Sequence, residues 1–346
     1  MEANTRKVRG WALALLYPLS LVACATGADP STERSADPAL GDAGTVVAQS
    51  CGQVEIPIQR VAPNVMILLD RSGSMDNAVE GSNRWDVAKA AIRRVTETFN
   101  DRIRFGLATF PSCENPQCGE APGKVVVPVT ESNASGINDG FLAPLTSGRS
   151  SPPVAGAPRN YLCGRDGDPP QTNTGASLHA MRNDPALQDR SRPRAVLLVT
   201  DGQESSECVR NGRDGANGAA RLLNDEIKTF VVGFATDSPS LGGVAQAGGT
   251  QRAYIAMNTR ALNEALENIA NSLASCEYQL DQEPPDPNDF FIYFNNSKKL
   301  LRDDPNGWSY DAASRKLQFL GSACDDVKAG RIEDIDVIFG CDAPLI

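Results

Sequence analysis

The run Val65-Met-Ile-Leu-Leu69, followed by Asp70-Arg-Ser72-Gly-Ser74, constrains this chain more than any other stretch. Five apolar residues without polar alternation suit a strand covered on both faces, as in a parallel sheet sandwiched between helices. The run stops at Asp70, and two hydroxyls follow at a spacing of two. Hard divalent cations such as Mg2+ take oxygen ligands in octahedral geometry, so carboxylate and hydroxyl oxygens at a strand's carboxyl end suit a cation seat. Asp and Ser also accept backbone N–H bonds at helix starts, and the segment taken alone reads equally as a helix cap.

Two further segments bear on that choice. Gln171-Thr172-Asn173-Thr174-Gly175 opens a helical stretch, and Ala195 to Val199 is a second fully apolar run, ending at Thr200-Asp201-Gly202. Asp70, Ser72 and Ser74 in an Asp-x-Ser-x-Ser motif, then Thr172, then Asp201, form a pattern that resembles the metal-ion-dependent adhesion site (MIDAS) of von Willebrand factor type A (VWA) domains. All five positions match. The resemblance implies that Ser72, Ser74 and Thr172 contact a divalent cation through hydroxyls, while Asp70 and Asp201 contact it directly or through water. It also implies an open position filled by an Asp or Glu carboxylate of a protein partner. Mg2+ is the expected ion, with Mn2+ and Ca2+ as alternatives. Three loops in agreement outweigh the cap reading. Phosphatases of the haloacid dehalogenase type also place an Asp at a strand end, but with a second acid two residues later, where this chain has Ser72.

From Pro63 to Ser275 apolar strands alternate with amphipathic helices, the pattern of a three-layer, doubly wound α/β domain with a mostly parallel sheet. Trp85, Ala88, Ile92, Val95 and Phe99 share one helical face, as do Leu262, Leu266, Ile269 and Leu273. Ile103 to Phe110, Lys124 to Val129 and Phe230 to Phe234 read as further strands, the second an edge because Pro128 removes a donor. The segment from Thr146 to Pro170 is rich in Ser, Pro and Gly, and a loop of that length is usually functional or mobile. Since it ends at Thr172, it is a candidate for partner selection. Cys208-Val-Arg-Asn-Gly-Arg-Asp-Gly lacks the preceding strand and the Lys of a phosphate-binding loop and reads as a solvated connection.

Residues 1–23 carry Arg6, Lys7 and Arg9 before the short apolar run from Trp11 to Tyr17, the layout of an export signal too short to span a bilayer. Leu21-Val-Ala-Cys24 resembles a bacterial lipobox, which implies cleavage before Cys24 and its diacylation. Ala25 in place of Asp implies the outer membrane of a Gram-negative envelope. Residues 24–50 contain almost no large apolar side chain and read as a disordered tether, spanning about 25 to 30 Å as a flexible chain. The whole chain carries a net charge of −10. Loss of the leader removes a net +2 and leaves −12, which argues against nucleic-acid partners and against adsorption to anionic lipid. Membrane contact is expected through the lipid alone.

Nine cysteines fit an oxidising compartment. With Cys24 assigned to the lipid, Cys51, Cys113, Cys118, Cys163, Cys208, Cys276, Cys324 and Cys341 form an even set. Position suggests Cys51 with Cys276, a staple that resembles one in some VWA domains. It further suggests Cys113 with Cys118 around a small loop, and Cys324 with Cys341 within the C-terminal part. Cys163 and Cys208 flank the Thr172 and Asp201 loops and are expected on the metal face. A zinc site gains nothing from the only histidine, His179, which is expected to be packed or half-exposed.

The VWA-like domain is therefore placed at residues 51–276. Beyond it, Pro284, Pro285 and Pro287 break the helical pattern, and Phe290 to Phe294, Trp308 to Tyr310, Lys316 to Leu320 and Ile335 to Phe339 read as strands. Residues 277–346 are expected to form a small β-rich, disulfide-tied module, with a hairpin at Asn306-Gly307 and with Trp308 and Tyr310 in its core. The function expected is a membrane-tethered, metal-dependent protein-binding lipoprotein of adhesion type. A non-catalytic envelope scaffold with a structural ion is the alternative. A hydrolase ranks third, because no Ser/His/Asp set can be drawn around one histidine and no paired acids stand out beyond the seat.

Overall fold

A computed structural model of the chain describes residues 54–56, 58–112, 123–145, 171–202, 204–209, 214–339 and 342. The leader, Cys24, the tether, the segment from Thr146 to Pro170, and Cys51, Cys113, Cys118, Cys163 and Cys341 lie outside those residues.

In chain order, two short strands, β1 (Val54–Glu55) and β2 (Ile58–Arg60), precede β3 (Asn64–Asp70). A small hairpin, β4 (Ala78–Val79) and β5 (Ser82–Asn83), leads into α1 (Arg84–Thr98), then β6 (Arg104–Phe110) and β7 (Lys124–Thr130). Next come α2 (Thr174–Met181), the single turn α3 (Pro185–Gln188), β8 (Arg194–Thr200), α4 (Gly215–Asn224), β9 (Lys228–Phe234), α5 (Ser240–Ala247), β10 (Tyr254–Ala256) and α6 (Thr259–Leu273). The C-terminal part adds β11 (Glu277–Leu280), β12 (Phe290–Phe294), β13 (Lys298–Leu300), β14 (Trp308–Asp311), β15 (Lys316–Phe319), α7 (Gly321–Lys328) and β16 (Ile335–Phe339).

The fold is α/β. Six strands form the central sheet in the order β10-β9-β8-β3-β6-β7. Every pair is parallel except β6 with the edge strand β7, which carries Pro128. Alternation along β3 assigns its side chains to two layers. Val65, Ile67 and Leu69 pack with Trp85 and Ile92 of α1 and with Leu262, Leu266 and Ile269 of α6. Met66 and Leu68 pack with Leu178 of α2, Leu222 of α4 and Val244 of α5. All five β3 residues have no exposed surface, which is why that run is apolar without alternation.

Helices α2 and α4 touch through glycine. A Cβ added at Gly218 would lie 2.7 Å from the Gly175 carbonyl oxygen and 2.9 Å from Leu178 Cβ. Neither neighbour is a flexible side-chain tip, so Gly218→Ala is expected to push the helices apart and lower stability by about 1 to 3 kcal/mol. Chemical denaturation measures this, and an unchanged midpoint would show that the contact is looser than drawn.

The C-terminal part contains two four-stranded antiparallel sheets, ordered β1-β16-β12-β13 and β14-β15-β11-β2. Their shared core holds Tyr278, Leu280, Phe290, Ile292, Phe294, Trp308, Leu317, Phe319 and Val337. Trp308 is 1% exposed and lies 4.8 Å, ring to ring, from Phe290, while Tyr310 meets Phe290 edge-on at 5.1 Å. These aromatics are core, as expected.

Two expectations need correction. Cys276 bonds to Cys324, with Cα atoms 5.4 Å apart, which excludes the pairings Cys51–Cys276 and Cys324–Cys341. Cys276 leads into β11, whose neighbour β15 runs directly into α7, and Cys324 lies on that helix. The amino-terminal strands are held by backbone pairing instead, β1 to β16 and β2 to β11. Second, Asn306-Gly307 does not turn a hairpin: β13 pairs with β12 and β14 with β15, so the segment between them crosses from one sheet to the other. The module is β-rich, as expected, with one helix, α7, that packs Ala323 and Val327 into its core. The sheets of the module also contain β1 and β2, which lie far from it in sequence.

Candidate metal centre

The chain winds from β3 outward through β6 to β7, then returns to β8 on the other side of β3 and continues to β9 and β10. Strand order thus reverses between β3 and β8, and in open α/β sheets the crevice beyond the carboxyl ends of strands at such a point is where ligands bind. Asp70 ends β3, Thr200 ends β8, and Asp201 is the residue that follows.

Asp70 is fully buried. Its Oδ1 accepts the Ser72 backbone N–H at 2.7 Å and its Oδ2 accepts the Thr200 hydroxyl at 2.5 Å. The loop after it is anchored by Met75, which is buried in the same cluster as Trp85. The Ser72 and Ser74 hydroxyls are 3.2 Å apart, and Ser74 donates to Asp201 Oδ1 at 2.7 Å. Asp201 is 3% exposed, and its Oδ2 accepts from Arg84 Nη1 at 2.6 Å. Thr172 is 6% exposed and is tied to the segment after Asp201: its N–H donates to the Ser205 hydroxyl at 3.0 Å, and its carbonyl accepts the Ser205 N–H at 2.9 Å. Ser72, Ser74 and Asp201 are therefore linked side chain to side chain, Asp70 is held beside them by the Ser72 N–H and the Thr200 hydroxyl, and the Thr172 loop is joined to the Asp201 loop through its backbone.

Glu204 fixes the two helices behind the seat. Its Oε1 accepts the Gly175 N–H at the start of α2, at 2.7 Å, and its Oε2 accepts the Gly215 N–H at the start of α4, at 2.8 Å. One carboxylate thus answers orphan donors and positive dipole ends of both helices. Burial raises the Glu204 carboxyl above the ordinary range, partly offset by those two bonds.

Electrostatically the seat is under tension. Burial first, and the charge of Asp201 second, push the Asp70 carboxyl up to about 7, against the lowering by Thr200 and Ser72. Two buried carboxylates with hydroxyls gathered beside them make a poor resting place for two negative charges and a fitting one for a cation. Among the described residues no group of three or more His, Cys, Asp and Glu side chains gathers; what lies together here is two carboxylates and two serine hydroxyls, oxygen groups of the kind a hard ion takes. His179 is exposed on α2 rather than packed or half-exposed. Cys208 is a disulfide cysteine on the segment that follows Asp201.

Arg84, Thr200, Glu204 and Ser205 were not foreseen. Thr200 had a signal, since it immediately precedes Asp201 at a strand end. Arg84 had none: it reaches Asp201 only because the β4–β5 hairpin returns the chain to the seat before α1 starts.

Residues 65–139 match the profile of the von Willebrand factor type A domain. No curated protein sequence matches the chain significantly. Solved structures similar to this one include proximal thread matrix protein 1 from the mussel byssus, at 16% identity over 63% of this chain and 47% of that one, with a TM-score of 0.40. That protein has also been solved with a zinc-occupied MIDAS motif. The conserved hypothetical protein BatB from Bacteroides thetaiotaomicron is similar at 17% identity over 60% of this chain and 99% of that one, with a TM-score of 0.41. The pilus adhesin SpaC from Lactobacillus rhamnosus GG is similar at 12% identity over 81% of this chain and 39% of that one, with a TM-score of 0.44. This chain spans about half the length of the byssus protein.

Proposed function

We propose that the chain is a VWA-type binding protein, without catalytic activity, whose Asp70, Ser72, Ser74, Thr172 and Asp201 hold one divalent cation, Mg2+ by donor chemistry, and capture a protein partner through an acidic side chain. The observation that carries this reading is the convergence of two buried aspartates, one ending β3 and one just after β8, with the Ser72 and Ser74 hydroxyls at the switch point of the sheet. A divalent ion held there would supply Lewis acidity toward a carboxylate. The protein's residues do the rest: Thr200 orients Asp70, Ser205 ties down the Thr172 loop, and the buried floor excludes water so that charge pairing strengthens. The surrounding loops would set which acidic partner fits.

The amino-terminal reading belongs to the same proposal and rests on sequence: an export leader, a diacylated Cys24, a tether, and display at the outer membrane. Among the described residues no helix is long and apolar enough to cross a membrane.

Cation affinity should follow the ionisation of Asp70, because a proton and an ion compete for the same oxygens. With that carboxyl near 7, affinity for Mn2+ is expected to fall about tenfold between pH 8 and pH 6. Calorimetric titration at the two values checks it, and pH-independent binding would remove Asp70 from the ligand set. The functional test is capture from envelope extract on immobilised protein. Partners retained with Mg2+, released by chelator and absent on Asp70→Asn support the proposal, and capture indifferent to both treatments contradicts it.

A further inference from the structure

Arg84 is the residue at the seat that the ligand pattern does not account for. It is the first residue of α1, placed by the Asn83 side chain, which accepts the Asp86 N–H at 2.8 Å, and by its own N–H, which donates to the Asn77 carbonyl across the hairpin at 3.1 Å. Its side chain is 19% exposed, and that of Asp201, its salt-bridge partner at 2.6 Å, has no exposure. Of the five donors a guanidinium carries, only Nη1 is used in a side-chain bond among the described residues. The Nε–H is buried there and has no partner among the described residues. Arg84 thus keeps donors in reserve beside the seat.

Charge counting gives this arrangement a direction. Without an ion, Arg84 and Asp201 compensate each other. With a divalent ion, its two charges are matched by Asp70 and Asp201, and the guanidinium is left as a surplus of +1. A buried or half-buried charge without a counterion is costly, and a planar fork of donors fits a carboxylate in two-point fashion.

We infer that Arg84 makes the loaded seat a receptor for anions: it neutralises Asp201 before the ion arrives and, afterwards, binds the carboxylate of the partner alongside the ion. This rests on the metal-seat reading above and adds to it the residue that selects an acid over a neutral oxygen ligand. It also explains why a site with two aspartates and a divalent ion, neutral in sum, would attract a further negative group.

The roles in the two states predict effects of opposite sign, which a merely structural role would not produce. Mn2+ binding to the full chain is followed by electron paramagnetic resonance of the free ion, in chloride and then with added acetate, corrected for acetate on free Mn2+. In the wild type, acetate tightens Mn2+ several-fold, since a second ligand that binds better to the loaded seat must raise the affinity of the first. Arg84→Gln binds Mn2+ about tenfold tighter in chloride, the scale of removing one nearby like charge at a partly buried site, and shows a clearly smaller acetate effect, since the ion alone is left to hold the carboxylate. Arg84→Lys, which keeps the charge, stays near the wild-type Mn2+ affinity and serves if the Gln variant does not fold. Weaker or unchanged Mn2+ binding in Arg84→Gln, an acetate effect undiminished in it, or a Lys variant about tenfold tighter than wild type would each overturn the inference. Wild-type protein that binds Mn2+ but ignores acetate also overturns it while leaving the seat standing. Failure of the wild type to bind Mn2+ at all would instead sink the underlying proposal, and this inference with it.

Discussion

Asp70→Asn is expected to abolish divalent-ion binding and, at the same time, to make the ion-free protein more stable. The first half follows from ligand loss. Substituting groups that only support a metal ligand typically weakens affinity by about 10- to 100-fold, so loss of a buried anionic ligand should exceed about 100-fold. The second half follows from the strain already in the seat. The folded carboxyl holds its proton up to about 7 against a reference of 3.8. A carboxyl whose folded value is raised destabilises the fold at pH above that value, and the penalty fades as pH falls toward 3.8. At pH 8 it is on the order of 4 kcal/mol. Asn removes the charge while its amide oxygen still accepts the Ser72 N–H and its NH2 can donate to Thr200 Oγ1. Ion-free wild type should therefore gain stability from pH 8 to pH 5 through this group, and Asp70→Asn should lack that gain and melt higher at pH 8. A variant less stable than the ion-free wild type at pH 8 would show that Asp70 is comfortable without a cation.

Glu204→Ala carries the other large effect. Two charge-assisted bonds, to the Gly175 and Gly215 N–H groups, disappear together, and both helix starts lose an acceptor. Since a hydrogen bond to a charged group is worth about 1.5 to 3 kcal/mol, and Glu204 is itself raised by burial, the expected net loss is about 2 to 4 kcal/mol. Because α2 begins two residues after Thr172, Mn2+ affinity should drop as well, by about tenfold or more. Urea denaturation and Mn2+ titration of the same sample test both. Lost stability with unchanged affinity would mean that the Thr172 loop is held by Ser205 alone.

Much of this was legible in the chain. The apolar runs at 65–69 and 195–199 are fully covered strands and read as such, because burial on both faces erases polar alternation. Pro128 marked the antiparallel edge, since a strand lacking a donor belongs where no neighbour needs it. The helical faces of α1 and α6 followed from their 3.6-residue period. What could not be read depends on distance along the chain. Strands of two and three residues at 54–60 carry too few side chains for a pattern, and their partners lie more than 200 positions later. The bond between Cys276 and Cys324 arises from that same sheet geometry, not from spacing. Asn306-Gly307 satisfies a local turn rule but lies where the chain changes sheets. Asp70, Ser72, Ser74 and Asp201 stand out in the chain and do lie together, whereas Arg84, Glu204 and Ser205 do not stand out, because they act across turns that only the assembled fold brings together.

Oxygens from β3 and the loop after it, from the loop before α2 and from the residue after β8 are expected to form one divalent-cation site. Calorimetric titration of the wild-type chain with Mn2+ at pH 8, repeated with excess Mg2+ as competitor and with Asp70→Asn, tests it most directly. One ion per chain, displaced by Mg2+ and absent in the variant, is the predicted result. Equal heats for wild type and variant, or no saturable binding in either, would contradict it.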